Sequence, residues 1–120
     1  MCNLTFVKDV FVSYMEDAIY RDKLNTIINH FGKTRQMLKL SGETGELIEA
    51  YLRYDMGIYP TNQRVTEEFA DVLLVLLQVM LINNIDPNDI IKILESKPDK
   101  TITKYNIKGG DYMEDEAQYN

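Results

Sequence analysis

Residues 69–82 of the chain read FADVLLVLLQVMLI, and the fold class can be inferred from them. Only Asp71 and Gln78 interrupt the apolar residues, and at helical spacing the apolar side chains point in every direction around the axis. A helix that is apolar on all sides must be surrounded by protein, because a membrane span needs about 20 such residues and this stretch is shorter. We therefore expect a soluble all-α protein with this helix at its centre.

The surface of this central helix is large compared with the rest of the chain. A few short helices from one small chain can hardly enclose it. We infer that a second subunit covers part of it, and we expect a homodimer or a homotetramer. The alternative is a central helix that is shielded entirely within one chain.

Apolar residues outside the central stretch also recur at helical spacing, and Gly and Pro mark the breaks between segments. The sequence predicts helices over about 33–56, about 62–84 and 87–97, and the last of these is expected to end before Pro98. The segment from 7 to 31 forms either one bent helix or two. The predicted architecture is an all-α bundle of four to five helices.

Length and charge narrow the class of protein further. A chain of 120 residues allows one domain, which we place at 1–104, followed by an acidic and flexible tail at 105–120. Residues 109–120 hold four acids and no base, so they account for −4 of the formal charge of −6. A body so near neutrality argues against a nucleic-acid partner. The single cysteine and the absence of a signal-peptide pattern indicate a cytoplasmic protein without membrane contact.

Four carboxylates stand out against the apolar background. Glu43 and Glu46 lie three residues apart in GETGELIEA, and Glu68 and Asp71 lie three apart in EEFADVLL. Residues three apart are neighbours on a helix surface, and both pairs border apolar stripes. If the two helices pack antiparallel across the short turn at 57–61, the pairs can face each other. These four residues are called the acid cluster below.

The acid cluster has the donor set of a site for hard cations. Four carboxylates at close range repel one another, and a cation resolves that repulsion. All-oxygen ligation favours Mg²⁺, with Mn²⁺ as a substitute, and four carboxylates suggest more than one ion with positions open to a phosphorylated substrate. Zinc and di-iron centres do not fit, because the chain has one Cys, one His and no Glu-x-x-His motif. The alternative is a set of solvated surface charges.

The segments QMLKLSGETGELIEA (36–50) and EEFADVLLVLLQV (67–79) resemble the MazG-type nucleoside triphosphate pyrophosphohydrolases of the all-α superfamily. The signature of that family is E-x-x-E, a spacer and then E-x-x-D, which the acid cluster matches residue by residue. The resemblance covers about residues 30–104. It implies that the cluster binds Mg²⁺ and that a nucleoside triphosphate is hydrolysed to the monophosphate and pyrophosphate, which removes unwanted nucleotides. Many members carry a Glu just before the first ligand, where this chain has Gly42.

The resemblance also implies roles for residues around the cluster. Glu46 is expected to orient or deprotonate the attacking water in addition to binding metal. Lys97 and Lys100 resemble cationic positions that follow the last helix in relatives, and they are expected to meet the distal phosphates unless they form an ordinary basic stretch. Gln36 matches a glutamine often seen ahead of the first acidic pair, and Lys39 shares the helical stripe of the acids. Gln36 and Lys39 are expected either to contact the nucleotide or to be ordinary residues of the helix surface.

A second class of function stays open for such a sequence. The chain could be a non-catalytic helical oligomer that acts as an adaptor or as a nucleotide-sensing module. The two classes predict different effects of neutralising the acids. A purely structural protein should become more stable, whereas a metal enzyme should lose turnover and its stabilisation by metal.

Overall fold

The computed structural model describes residues 4–108, and these residues form five helices and no strand. The elements are α1 (Thr5–Glu16), α2 (Ala18–Phe31), α3 (Lys33–Asp55), α4 (Gln63–Ile82) and α5 (Pro87–Lys104). The predicted all-α fold is confirmed. Within this range, residues 14–85 form one compact unit, and residues 4–13 and 86–108 form another. The acids of the predicted tail fall within 109–120, outside the described part of the chain.

The segment before Gly32 forms two helices, which answers the question that the sequence left open. Asp17 ends α1 and begins α2, because its side chain accepts a hydrogen bond of 2.8 Å from the backbone N–H of Tyr20. Arg21 reaches back across this break and donates two hydrogen bonds, of 3.1 and 2.9 Å, to the carbonyl oxygen of Met15. Side-chain hydrogen bonds therefore satisfy a backbone group on each side of the break.

The turn between α3 and α4 sets the direction of both long helices. Gly57 follows the C-cap Met56 and has φ +79°, a left-handed conformation that glycine adopts without steric cost. Asn62 occupies the predicted N-cap position of α4, although its side chain makes no capping hydrogen bond. The predicted bounds of both helices are confirmed to within two residues.

The predicted end of the last helix before Pro98 is wrong, because α5 continues through Pro98 to Lys104. Asp86 caps the start of this helix by accepting from the N–H of Asn88 at 2.9 Å. A proline inside a helix removes one hydrogen bond, here the one to the carbonyl of Leu94. Pro98 is exposed and Leu94 is half-exposed, so water can satisfy that carbonyl and the helix does not need to stop.

The contacts between α3 and α4 are the most extensive between helices, and they run antiparallel. The start of α3 meets the end of α4, since Gln36 Nε2 donates to Gln78 Oε1 at 2.7 Å and Asn83 Nδ2 lies 3.5 Å from Met37 Sδ. Both glutamines are 1% exposed. The buried apolar residues of the described chain are Met15, Leu24, Ile28, Ala50, Val75, Leu77, Met80 and Ile91.

One face of α4 is open, although its sequence is apolar on all sides. Phe69, Leu73 and Leu76 recur at helical spacing and are 59%, 43% and 39% exposed. A cover from a second subunit over this face stays a prediction. Within residues 4–108, none of the helices combines the length and the apolar character needed to cross a membrane.

The buried glutamine pair generates a prediction about stability. Replacing Gln78 by Leu leaves the amide of Gln36 buried without its acceptor, which should lower the free energy of unfolding by about 1–3 kcal/mol. The double variant Gln36→Leu, Gln78→Leu should recover much of that loss, because both polar groups are then gone. Urea unfolding at a fixed protein concentration measures the three values. Equal stability of Gln78→Leu and the native chain would contradict the assignment.

Candidate metal centre

The antiparallel packing of α3 and α4 brings acids from the two helices together. One carboxylate oxygen from each of Glu43, Glu68 and Asp71 lies within 4.8 Å of the others. Glu46 is not in this group of three, but its charge raises the pKa of both Glu43 and Glu68, so it lies beside them. All four residues of the acid cluster therefore share one surface of the α3–α4 pair.

The members of the cluster differ in burial. The side chain of Glu68 is 3% exposed and that of Glu43 is 15% exposed, whereas Glu46 and Asp71 are exposed. The Oε2 atoms of Glu43 and Glu68 are buried and have no hydrogen-bond partner. A buried carboxylate oxygen without a partner is costly, so these two atoms mark a place where the protein lacks a positive charge.

Burial and mutual repulsion both work against ionisation of the two inner acids. Burial raises the pKa of Glu68, the Arg64 guanidinium opposes this rise, and Glu46 and Asp71 add to it. Burial also raises the pKa of Glu43, where Glu46 adds to the rise and Lys39 opposes it. Both directions are those expected for carboxylates packed together without a cation between them.

Two cationic side chains border the cluster. Arg64 lies one turn before Glu68 on α4, and its Nη2 atom is 2.6 Å from Glu68 Oε1. Lys39 lies one turn before Glu43 on α3, with Nζ 3.9 Å from Glu43 Oε1 and 5.9 Å from the centroid of the Phe31 ring. Arg64 was not among the residues predicted from the sequence, although its position four residues before an acid on a helix was a usable signal.

The other predicted site residues lie in different surroundings. Gln36 is buried and bonded to Gln78, not on the helix surface, so its contact with a nucleotide stays a prediction. Lys97 and Lys100 lie on α5 and not in a loop after it, because the helix does not end before Pro98. They belong to the unit that contains residues 86–108. Their contact with phosphate stays a prediction as well.

The donor set fits a hard divalent cation. Every candidate ligand in the cluster is a carboxylate oxygen, and Mg²⁺ and Mn²⁺ prefer such ligands. The unpartnered Oε2 atoms of Glu43 and Glu68 provide buried acceptors for it, while the exposed Asp71 leaves one side of the cluster open to water and to a ligand. Within residues 4–108, the fold is thus an all-α one that brings paired acids together on two antiparallel helices.

Comparison with known families agrees with this geometry. Residues 31–106 match the model of the MazG nucleotide pyrophosphohydrolase domain, and the match includes all of α3 and α4. The chain belongs to the MazG nucleotide pyrophosphohydrolase family. No curated protein and no solved structure matches the chain significantly.

The burial of Glu43 generates a prediction about the metal-free chain. Glu43→Gln should raise the melting temperature without metal, because it removes one charge from a crowded and partly buried cluster. The same change should abolish most of the rise in melting temperature that Mg²⁺ produces in the native chain. Thermal unfolding with Mg²⁺ and with EDTA measures both effects.

The matched control is Glu49→Gln on the same helix. Glu49 is 61% exposed and is paired with Arg53 at 2.6 Å, outside the cluster. Glu49→Gln should have little effect on the melting temperature, either with Mg²⁺ or with EDTA. A Glu43→Gln variant that is less stable without metal than the native chain would contradict the assignment.

The difference in stability between Glu43→Gln and the native chain, both without metal, should depend on pH. Because the folded pKa of Glu43 lies above its ordinary value of 4.5, the folded chain binds a proton that the unfolded chain has already lost. The stability contributed by this group is therefore present below about pH 4.5 and is lost as the pH rises through the folded pKa. The advantage of Glu43→Gln should be largest near neutral pH and should shrink towards pH 4.5.

Proposed function

We propose that this chain is a Mg²⁺-dependent enzyme that hydrolyses a nucleoside triphosphate to the monophosphate and pyrophosphate. One observation carries the proposal: three family-motif carboxylates converge within 4.8 Å, and two of them have buried oxygens without a partner. Membership of the MazG nucleotide pyrophosphohydrolase family supports the same reaction class.

The acid cluster is proposed to hold Mg²⁺, with Mn²⁺ as a substitute. Glu43 and Glu68 supply the buried oxygens, and Asp71 supplies an exposed one from the neighbouring turn of α4. A bound divalent cation supplies neutralisation of phosphate charge and acidification of water. Glu46 completes the ligand set on the exposed side of α3.

Glu46 is also proposed as the residue that accepts the proton of the attacking water. It is exposed to solvent and lies beside Glu43 and Glu68, yet it stands outside the tight group of three oxygens. From this exposed position its carboxylate can orient a water molecule toward phosphorus. As the water oxygen bonds to phosphorus, the bond between the α- and β-phosphates breaks, pyrophosphate leaves, and Glu46 takes the proton.

Cationic side chains are proposed to meet the phosphates. Lys39 borders the cluster, and its side chain is 49% exposed, so it can turn from Glu43 toward an anionic ligand. Lys97 and Lys100 are exposed on α5 and are proposed to contact the distal phosphates. The open apolar face of α4 supports a homodimer or homotetramer as the working form.

The experiment is a pyrophosphate-release assay on a panel of ribo- and deoxyribonucleoside triphosphates, including dUTP and oxidised bases. We expect release with Mg²⁺ and none with EDTA. Glu46→Gln should lower kcat by about 10²–10⁴-fold, the usual loss on removal of a general base. Glu49→Gln, three residues further along α3, should leave kcat unchanged because Glu49 is a solvated charge paired with Arg53.

Two results would contradict the proposal in different ways. Release that continues in EDTA would remove the cation from the mechanism. If no nucleotide of the panel releases pyrophosphate and calorimetry detects no Mg²⁺ binding, the alternative of a non-catalytic adaptor or nucleotide-sensing module is favoured.

A further inference from the structure

Arg64 is placed to neutralise the most buried acid of the cluster. It lies in the first turn of α4, and its guanidinium spans two acids, with Nη2 2.6 Å from Glu68 Oε1 and Nη1 3.3 Å from Glu67 Oε2. The side chain of Glu68 is 3% exposed, whereas that of Arg64 is 54% exposed. A half-exposed cation thus reaches inward to an otherwise buried carboxylate.

The contact occupies only one of the two oxygens of Glu68. Oε1 is paired with Arg64, and Oε2 is buried without a hydrogen-bond partner. A divalent cation that binds Oε2 would share one carboxylate with a guanidinium, and the two positive charges would repel each other. Because Arg64 is half-exposed, it can leave Glu68 for solvent or for an anionic ligand without a large desolvation cost.

A second contact keeps Arg64 at the rim of the cluster. Glu67 is 50% exposed and accepts both from Arg64 Nη1 at 3.3 Å and from Gln63 Nε2 at 3.2 Å. Glu67 is not one of the three acids whose oxygens converge. A guanidinium that leaves Glu68 therefore still has a partner that holds it next to the site.

We propose that Arg64 is the resident counter-cation of the acid cluster, and that it exchanges Glu68 for a phosphate oxygen of the substrate when a divalent cation binds. The inference rests on the proposed function and deepens it by adding a phosphate-binding residue. The four carboxylates of the cluster face two monovalent cations, Arg64 and Lys39, so a net negative charge remains for a divalent ion. A polyphosphate then brings new negative charge, and the planar fork of Arg64 suits two of its oxygens.

The test compares Arg64→Gln with the native chain in two binding experiments that need no turnover. Calorimetry with Mg²⁺ alone should give about tenfold tighter binding for Arg64→Gln, because the competing guanidinium is gone. Inorganic pyrophosphate at saturating Mg²⁺ should bind to Arg64→Gln at least about tenfold more weakly than to the native chain, because the guanidinium that would bind its oxygens is missing.

The matched control is Arg53→Gln. Arg53 is 47% exposed and pairs with Glu49 at 2.6 Å with the same helical spacing, outside the cluster. It should leave both affinities at native values.

Each other outcome has a definite meaning. Unchanged or weaker Mg²⁺ binding by Arg64→Gln would overturn the exchange, and unchanged pyrophosphate binding would overturn it equally. A native chain that binds Mg²⁺ and pyrophosphate as expected, but releases no pyrophosphate from any nucleotide, would overturn the proposed function and leave the exchange standing. A native chain that binds no Mg²⁺ would overturn both.

Discussion

The candidate site depends on the burial of two carboxylates, those of Glu43 and Glu68, between two helices that pack antiparallel. Gly57 reverses the chain after α3, and the buried Gln36–Gln78 pair fixes the far end of the α3–α4 contact. Between these points, Glu43 and Glu68 have oxygens that are out of contact with water and without a partner. Such an arrangement costs stability unless a positive charge is supplied. The protein supplies only part of that charge itself, through side chains at the edge of the cluster.

Burial divides the acid cluster into two inner acids, Glu43 and Glu68, and two exposed acids, Glu46 and Asp71. The two inner acids have raised pKa values because they are buried and crowded by neighbouring acids, and a bound cation would relieve both effects. Glu46 and Asp71 are exposed to solvent, and in the proposed function this exposed side is the one that receives substrate and water. The division follows from the position of each acid relative to the packed faces of α3 and α4, although the four acids look equivalent in the sequence.

Much of the fold and of the site could be predicted because the signals are local. The apolar pattern and the Gly and Pro breaks defined α3 and α4, and the acid pairs followed from helical spacing and the family resemblance. Pro98 misled the prediction, since a proline rule does not tell whether the freed carbonyl is exposed to water. Helical spacing alone could indicate a contact between Arg64 and Glu68, but the importance of that contact and the burial of Gln36 needed tertiary information. The value of Arg64 depends on the burial of Glu68, and the burial of Gln36 depends on its partner Gln78 on another helix.

A cation site at the acid cluster can be tested directly by an anomalous difference map from crystals grown with Mn²⁺. We expect a peak between α3 and α4, about 2.0–2.2 Å from oxygens of Glu43, Glu68 and Asp71, which is close to the distance at which Mg²⁺ binds oxygen ligands. A map at saturating Mn²⁺ that shows no peak at these three residues, with Glu43 and Glu68 still unpartnered, would contradict it.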